Sequence, residues 1–332
     1  MPAETMTYAQ AVRAALRTCL DEDPGVFLAG EDIGIYGGAF GVTEGLLKDY
    51  GEERIRDTPI SEDAIVGLAV GSALVGMRPI VEMQFSDFVA NAIDPLVNQA
   101  AKLHFMYGGR TPVPMVLRAP TGGGTGAAAQ HSQNLEAWFA HVPGLKVVLP
   151  STPQDAHDLL LAAVADPNPV VFLEHKLLYK TSGSVELRDS IEATPAVLGE
   201  SLVRRQGTDL TIATYSRAAI QSLEVADALA GKGIEAEVVD LRTVRPLDVD
   251  TVRESVKKTG RLLVVHEAPA AVGVGAEVIA AVVESDAFDY LLAPARRVCG
   301  RDNPIPYAPE LEKATIPQAE DIEQAAAELM EE

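Results

Sequence analysis

"DLTIATYSRAAIQSLEVADALAGKGIEAEVVDLR" fills residues 209–242. Its first part, DLTIATY, is short and rich in β-branched residues, which predicts a strand. RAAIQSLEVADALAGKG repeats apolar residues at helical spacing and ends on glycine, a common helix stop. EAEVVDLR returns to the strand pattern. A helix of this length between two strands is a crossover link, the connection that parallel strands require. The stretch therefore predicts one unit of a parallel α/β sheet.

The same alternation continues on both sides. Downstream, DVDTVRESVKKTG reads as a helix, RLLVVHE as a strand, VGAEVIAAVVESDAF as a helix and ARRVCG as a last short strand. Upstream, Thr7 and Gln10 stand at capping-box spacing before a helix. VFLAG (26–30), RPIVEMQ, PMVLRAP, LKVVLP and PVVFLEH read as strands. DFVANAIDPLVNQAAKLHFM predicts a helix interrupted near Pro95, and STPQDAHDLLLAAVA a helix capped by Ser151 or Thr152 with Pro153 in its first turn. Between Lys180 and Gly207 the pattern dissolves into polar residues. The expectation is an α/β chain of two doubly wound domains with mostly parallel sheets, 1–185 and 205–332, joined by a linker over 186–204.

Composition narrows the function. The chain has 332 residues, enough for about two domains, and is 47% hydrophobic. It has no apolar run of the roughly 20 residues a membrane helix needs. The opening MPAETMTYAQ lacks the basic and apolar parts of a signal peptide, so a cytoplasmic protein of bacterial or archaeal type is expected. A net charge of −21 repels polyanions and makes nucleic acid a poor partner. Cys19 and Cys299 are far apart and form no CxxC, which argues against a disulfide scaffold or a zinc site.

Two stretches carry candidate chemistry. In DTPISEDAIVGLAVG (57–71), Glu62 and Asp63 precede a run from Ala64 to Val75 that is apolar or glycine nearly all round. That pattern predicts a buried helix with Ser61 as its cap and acids complementing the dipole. APTGGGTGAAAQHSQ (119–133) follows a strand and contains Gly122, Gly124 and Ala127 at dinucleotide-fingerprint spacing. No second strand ending in an acid follows at the distance that fingerprint needs. The loop instead carries His131, the histidine most suited to chemistry because ligands gather at strand carboxyl ends. His104, His141, His157 and His175 read as structural. GVGAE (273–277) lacks a third glycine, and neither a Walker A nor a GxSxG motif occurs.

Taken together, GEDIG, GGAFGVTEGL, DTPISE, AAQHSQ, PGLKVV, PSTPQDA, VVFLEHK, VVDLRTVRPLD and GRLLVVHEA resemble the β subunit of the decarboxylating component of 2-oxo acid dehydrogenase complexes, in the transketolase-like, thiamine diphosphate-dependent family. The resemblance covers about residues 5–320. It implies that Glu62 contacts the ring nitrogen of the cofactor's aminopyrimidine and exchanges a proton there, the step that makes the thiazolium carbon nucleophilic. It implies that Phe88 packs on the aminopyrimidine and that Glu31 lies on an acidic path between paired sites, a path left in question by Asn91 where some relatives have an acid. His131 would move protons or stabilise intermediates during acyl transfer to lipoamide. Potassium would bind to backbone carbonyls of Met115, Ala163, Asp166 and Asn168. The family holds the diphosphate and Mg2+ with a GDG motif that this chain lacks, so an α subunit would supply it in an α2β2 heterotetramer. A lipoyl acyltransferase core would dock through its peripheral subunit-binding domain, with the acidic tail AEDIEQAAAELMEE as a contact. VVHEAP and RVCGRDNPIPY tilt the substrate slightly toward branched-chain 2-oxo acids over pyruvate. An acetoin dehydrogenase, another split thiamine enzyme, or a catalytically silent regulatory subunit are the alternatives.

Overall fold

The computed structural model describes residues 3–331. They divide into two compact units. The first runs to Thr121 and resumes over Trp138–Leu198; the second comprises Gly122–Ala137 and the chain from Gly199 onward. Within the span read as the first domain, residues 122–137 thus group with the second unit.

The first unit contains strands β1 (Ala3–Thr7), β2 (Val26–Gly30), β3 (Ile55–Asp57), β4 (Arg78–Glu82), β5 (Val116–Thr121), β6 (Lys146–Val148), β7 (Val170–His175) and β8 (Ser182–Glu186). Its helices are α1 (Tyr8–Glu22), α2 (Leu46–Tyr50), α3 (Glu62–Leu74), α4 (Ala101–Met106) and α6 (Pro153–Ala165), while α5 (Glu136–Ala140) bridges the unit boundary. Within the unit, parallel strands pair in the order β6-β7-β5-β4-β2-β3. β2, β5 and β7 are buried along their whole length, as parallel strands covered on both faces must be. β1 and β8 form a separate antiparallel pair.

Local chemistry explains several boundaries. The capping box at Thr7 and Gln10 forms, with bonds of 3.2 and 2.8 Å. Thr152 Oγ1 accepts from Asp155 N at 3.1 Å, and Pro153 opens α6. The segment around Pro95 is broken rather than one helix: a 3-10 stretch, Ser86–Ala92, gives way to a π-helical turn over Asp94–Ala100 before α4. Gly30 ends β2 because a Cβ there would stand 2.6 Å from the Glu82 carbonyl oxygen, so only glycine lets β2 and β4 approach.

Two expectations for α3 are corrected. Ser61 occupies the cap position, but its backbone (φ −159°, ψ 79°) lies outside the usual cap conformation and its side chain makes no capping bond. Nor is the helix buried all round in this chain. Ile65, Val66, Ala69, Val70 and Ala73 are buried, while Ala64, Gly67, Leu68 and Gly71 are exposed.

The second unit has β9 (Leu202–Arg205), β10 (Leu210–Thr214), β11 (Ala236–Asp240), a short β12 (Thr243–Arg245), β13 (Leu262–Pro269) and β14 (Arg296–Gly300). Five of these form a sheet in the order β14-β13-β10-β11-β9, parallel except for β9. The helices are α7 (Arg217–Ala230), α8 (Val249–Thr259), α9 (Val274–Val283), α10 (Pro309–Thr315) and α11 (Ala319–Glu331). The opening stretch is thus β10-α7-β11, with its two strands paired in parallel. Leu210, Ile212, Val225, Leu229, Val238, Leu263, Ile322 and Leu329 share one buried core. α11 is amphipathic and seats Ile322, Ala326 and Leu329 in that core, so the acidic tail is a packed helix with a solvated face.

Candidate active site

In the first unit the chain leaves β2 toward β3 on one side and β4 on the other. The strand order reverses there, and a doubly wound sheet binds ligands outside the carboxyl ends of its strands at such a point. Glu31 follows β2 directly and is 4% exposed. Its Oε1 is buried with no hydrogen-bond partner among the described residues. Burial raises its pKa, and the neighbouring Glu62 and Asp32 carboxylates raise it further. Glu62, buried at the first position of α3, is therefore close enough to Glu31 to repel its charge. The loop between them is held by Asp57, whose carboxylate accepts from Gly34 N at 2.5 Å and Ile35 N at 3.1 Å. Asp32 takes a left-handed φ of 55°, which aspartate tolerates better than most residues.

Phe88 lies half-buried on the 3-10 stretch after β4. It ends a continuous aromatic run. Phe88 meets Phe85 edge-on at 5.8 Å, Phe85 meets Phe40 at 6.0 Å, Phe40 stacks on Tyr179 at 5.0 Å, and Tyr179 meets Tyr8 at 5.9 Å. Lys176 lies over Phe85 at 5.3 Å. Beneath this run is a buried ionic triad without a role in the sequence reading. Arg118 on β5 donates to both oxygens of Glu174 on β7 (2.7 and 2.9 Å) and to Glu82 on β4 (2.6 Å). Burial pushes the Glu82 pKa up. The sequence held a signal for it: one charge stands inside each of the apolar runs RPIVEMQ, PMVLRAP and PVVFLEH.

The residues suggested for potassium gather about one turn. Val113 N donates to the Pro167 carbonyl (2.9 Å) and Val170 N to that of Met115 (2.9 Å). Ala163 lies in the last turn of α6, and the residue four positions on is Pro167, which has no N–H to offer its carbonyl. Asn168 N and Nδ2 both reach Asp166 Oδ1 at 2.9 Å, and Lys146 pairs with the other oxygen. The Asp166 side chain is thereby engaged, which leaves backbone carbonyls as the donors, a set suited to a hard cation.

His131 belongs to the second unit. Its loop sits where that unit's own strand order reverses, between β10 and β13. Glu267 Oε1 on β13 accepts from Gly123 N at 2.5 Å and Asn134 Nδ2 at 3.0 Å. Glu312 on α10 accepts from Gly124 N (2.8 Å) and Gly126 N (2.9 Å). Tyr215, just after β10, donates to buried Glu136 at 2.7 Å. Burial drives the Glu136 pKa up to about 6. The glycine N–H groups that a dinucleotide phosphate would need are thus occupied by carboxylates, which excludes the fingerprint reading on geometry. GVGAE has a separate explanation: a Cβ on Gly273 or Gly275 would meet the His266 ring at 2.8 or 2.7 Å. None of Glu136, Tyr215, Glu267 and Glu312 carried a role in the sequence reading, because their partners are backbone groups or residues far along the chain.

Two doubly wound units of this kind define a class, the transketolase-like proteins. The family model "Transketolase, pyrimidine binding domain" matches residues 4–182, and "Transketolase, C-terminal domain" matches 199–322. A split-gene transketolase described as an inactive β4 tetramer superposes with TM-score 0.80 over 98% of both chains at 21% identity, a likeness of fold. The chain belongs, within that class, to the family of pyruvate dehydrogenase E1 component β subunits. It is 47% identical to the mitochondrial β-2 subunit of Oryza sativa over 98% of this chain and 86% of the relative. It is 45% identical to the β subunit of Rickettsia felis over 96% of this chain and 97% of the relative, and 44% identical to that of Rattus norvegicus. These names give the branched-chain leaning no support.

Proposed function

We propose that this chain is the β subunit of a pyruvate-type 2-oxo acid dehydrogenase, active with an α subunit in an α2β2 heterotetramer that serves a lipoyl acyltransferase core. The observation that carries the reading is the pair Glu31 and Glu62 at the strand-order reversal of the first unit, with α3 packed against the 3-10 stretch that carries Phe88. The residues fit an aminopyrimidine. Glu31 keeps a buried oxygen without a partner, Glu62 sits at a helix start where a carboxylate complements the dipole, and Phe88 offers an apolar ring.

When bound, thiamine diphosphate supplies the carbon nucleophile that decarboxylates the 2-oxo acid. Glu62 holds or exchanges a proton at the pyrimidine ring nitrogen. Burial, with the Glu62 and Asp32 carboxylates beside it, raises the Glu31 pKa. Phe88 orients the ring. His131 moves a proton during acyl transfer to lipoamide. The α subunit brings the diphosphate and Mg2+ ligands. Potassium would be held by the backbone carbonyls of Met115, Ala163, Asp166 and Asn168. The peripheral subunit-binding domain of the core is the second partner, and a bacterial cytoplasm the setting. The relatives' names favour pyruvate, and branched-chain acids take second place.

The test is reconstitution with the α subunit, then 2-oxo acid-dependent reduction of an artificial acceptor with and without thiamine diphosphate and Mg2+. Pyruvate is expected to exceed three branched-chain 2-oxo acids and acetoin. Glu62→Gln is expected to lower kcat by at least about 100-fold while assembly persists. Full activity in Glu62→Gln would make the chain a silent subunit instead.

A further inference from the structure

A doubly wound sheet offers its ligand crevice where the strand order reverses. In the second unit that crevice is filled by the chain's own segment 122–137. Three backbone N–H groups of its glycine-rich part end on two carboxylates from different elements, Gly123 on Glu267 and Gly124 and Gly126 on Glu312. The far side of the segment is fixed as well. Asn134 shares the Glu267 oxygen, Gly122 N donates to the Gln133 carbonyl at 3.4 Å, and Glu136 takes the Tyr215 hydroxyl. His131 stands between these two anchored stretches, in a tight turn closed by its own N–H to the Ala128 carbonyl at 3.3 Å. Ala128 has a left-handed φ of 61°, a conformation that needs outside support to persist.

We infer that Glu312, with Glu267, is a positioning residue for His131: the second unit uses its ligand crevice to hold the loop that carries the catalytic imidazole. The inference rests on the acyl-transfer role proposed for His131. Charge matters to the grip. Both Glu312 oxygens accept, so an amide in its place turns an NH2 toward one of two glycine N–H donors. Glu312 is 4% exposed, so water does not readily replace the lost acceptor. Gly124 meets Glu312 from a left-handed φ of 88°, which alanine adopts only under strain.

The experiment is a double-mutant cycle in the reconstituted α–β complex, read as the rate of lipoyl-domain acylation from the 2-oxo acid. Glu312→Gln is expected to slow acylation about tenfold beside His131, because small misplacements of a reacting group cost this much or more. In a His131→Ala background it is expected to cost less than about twofold, since Glu312 then has nothing left to position. Equal losses in both backgrounds, or no loss beside His131, would overturn the inference. His131→Ala alone leaving acylation unchanged would instead refute the role of His131, and that single variant separates the two failures. Where Glu312→Gln does not assemble, Gly124→Ala disturbs the same grip from the loop side and is judged by the same His131 dependence.

Discussion

Glu136 shows how one buried carboxyl sets a pH dependence. It is fully buried, one oxygen bonded to Tyr215 and the other without a partner among the described residues. Its folded pKa, up to about 6, exceeds the ordinary carboxyl value. Between that value and about 6 the folded protein holds a proton that the unfolded chain has lost, so stability falls as pH rises through this window. Above it the cost is complete, about 2 kcal/mol for a shift of this size. Glu136→Gln keeps a carbonyl for the Tyr215 hydroxyl and has no charge to desolvate. The variant is expected to match or exceed the parent in denaturant stability at pH 7, and to lose the gain that the parent shows on acidification to pH 5. A variant less stable than the parent at pH 7 would mean that the carboxylate is paired. Arg118 makes the opposite case. Arg118→Met leaves Glu82 and Glu174 buried without their cation, and removing one partner of such a group costs about 3–5 kcal/mol. The expected result is a sharp fall in denaturation midpoint, with weaker thiamine diphosphate binding in whatever complex assembles, since β4 and β7 lead into Phe85 and Lys176.

At the scale of elements, the strands and long helices were legible because burial imposes a period on the sequence. β10-α7-β11 could be read from residues 209–242 with no partner strand in view. The capping box at Thr7 and the start of α6 were legible because a cap is a local bond. Glu62 and His131 were singled out by position, one before an apolar run and one after a glycine loop. What was not legible depended on distant partners. Nothing near Gly123 announces that its N–H ends on Glu267, 144 residues on. The seating of residues 122–137 in the second unit follows from such bonds and has no local signature. The π-helical turn after Pro95 was visible only as an interruption, because a proline marks where a helix fails and not what replaces it. α3 misled for a related reason. An apolar surface on both faces predicts burial on both, and this chain covers only one.

That uncovered face leads to the scale of the whole molecule. Ala64, Gly67, Leu68 and Gly71 form an exposed apolar strip on α3, and Ile60 and Val75 beside it are each 80% exposed. A continuous apolar strip of this kind marks an interaction site, in line with the proposed need for an α subunit. Gly67 and Gly71 sharpen the expectation. A Cβ at either position meets nothing within 4 Å in this chain. Within the chain alone, alanine at both should therefore stabilise the helix by about 0.5–1 kcal/mol per site, since glycine is the poorer helix former. Against a partner helix the same methyl groups hold two backbones apart. The double variant Gly67→Ala, Gly71→Ala is expected to unfold at higher denaturant when alone, yet to assemble with the α subunit at least about tenfold more weakly in sedimentation or titration. Its thiamine diphosphate-dependent turnover should fall at limiting α subunit and recover at excess. Unimpaired assembly would show that this face meets solvent in the working complex, and the partner surface would then have to be sought elsewhere on the chain.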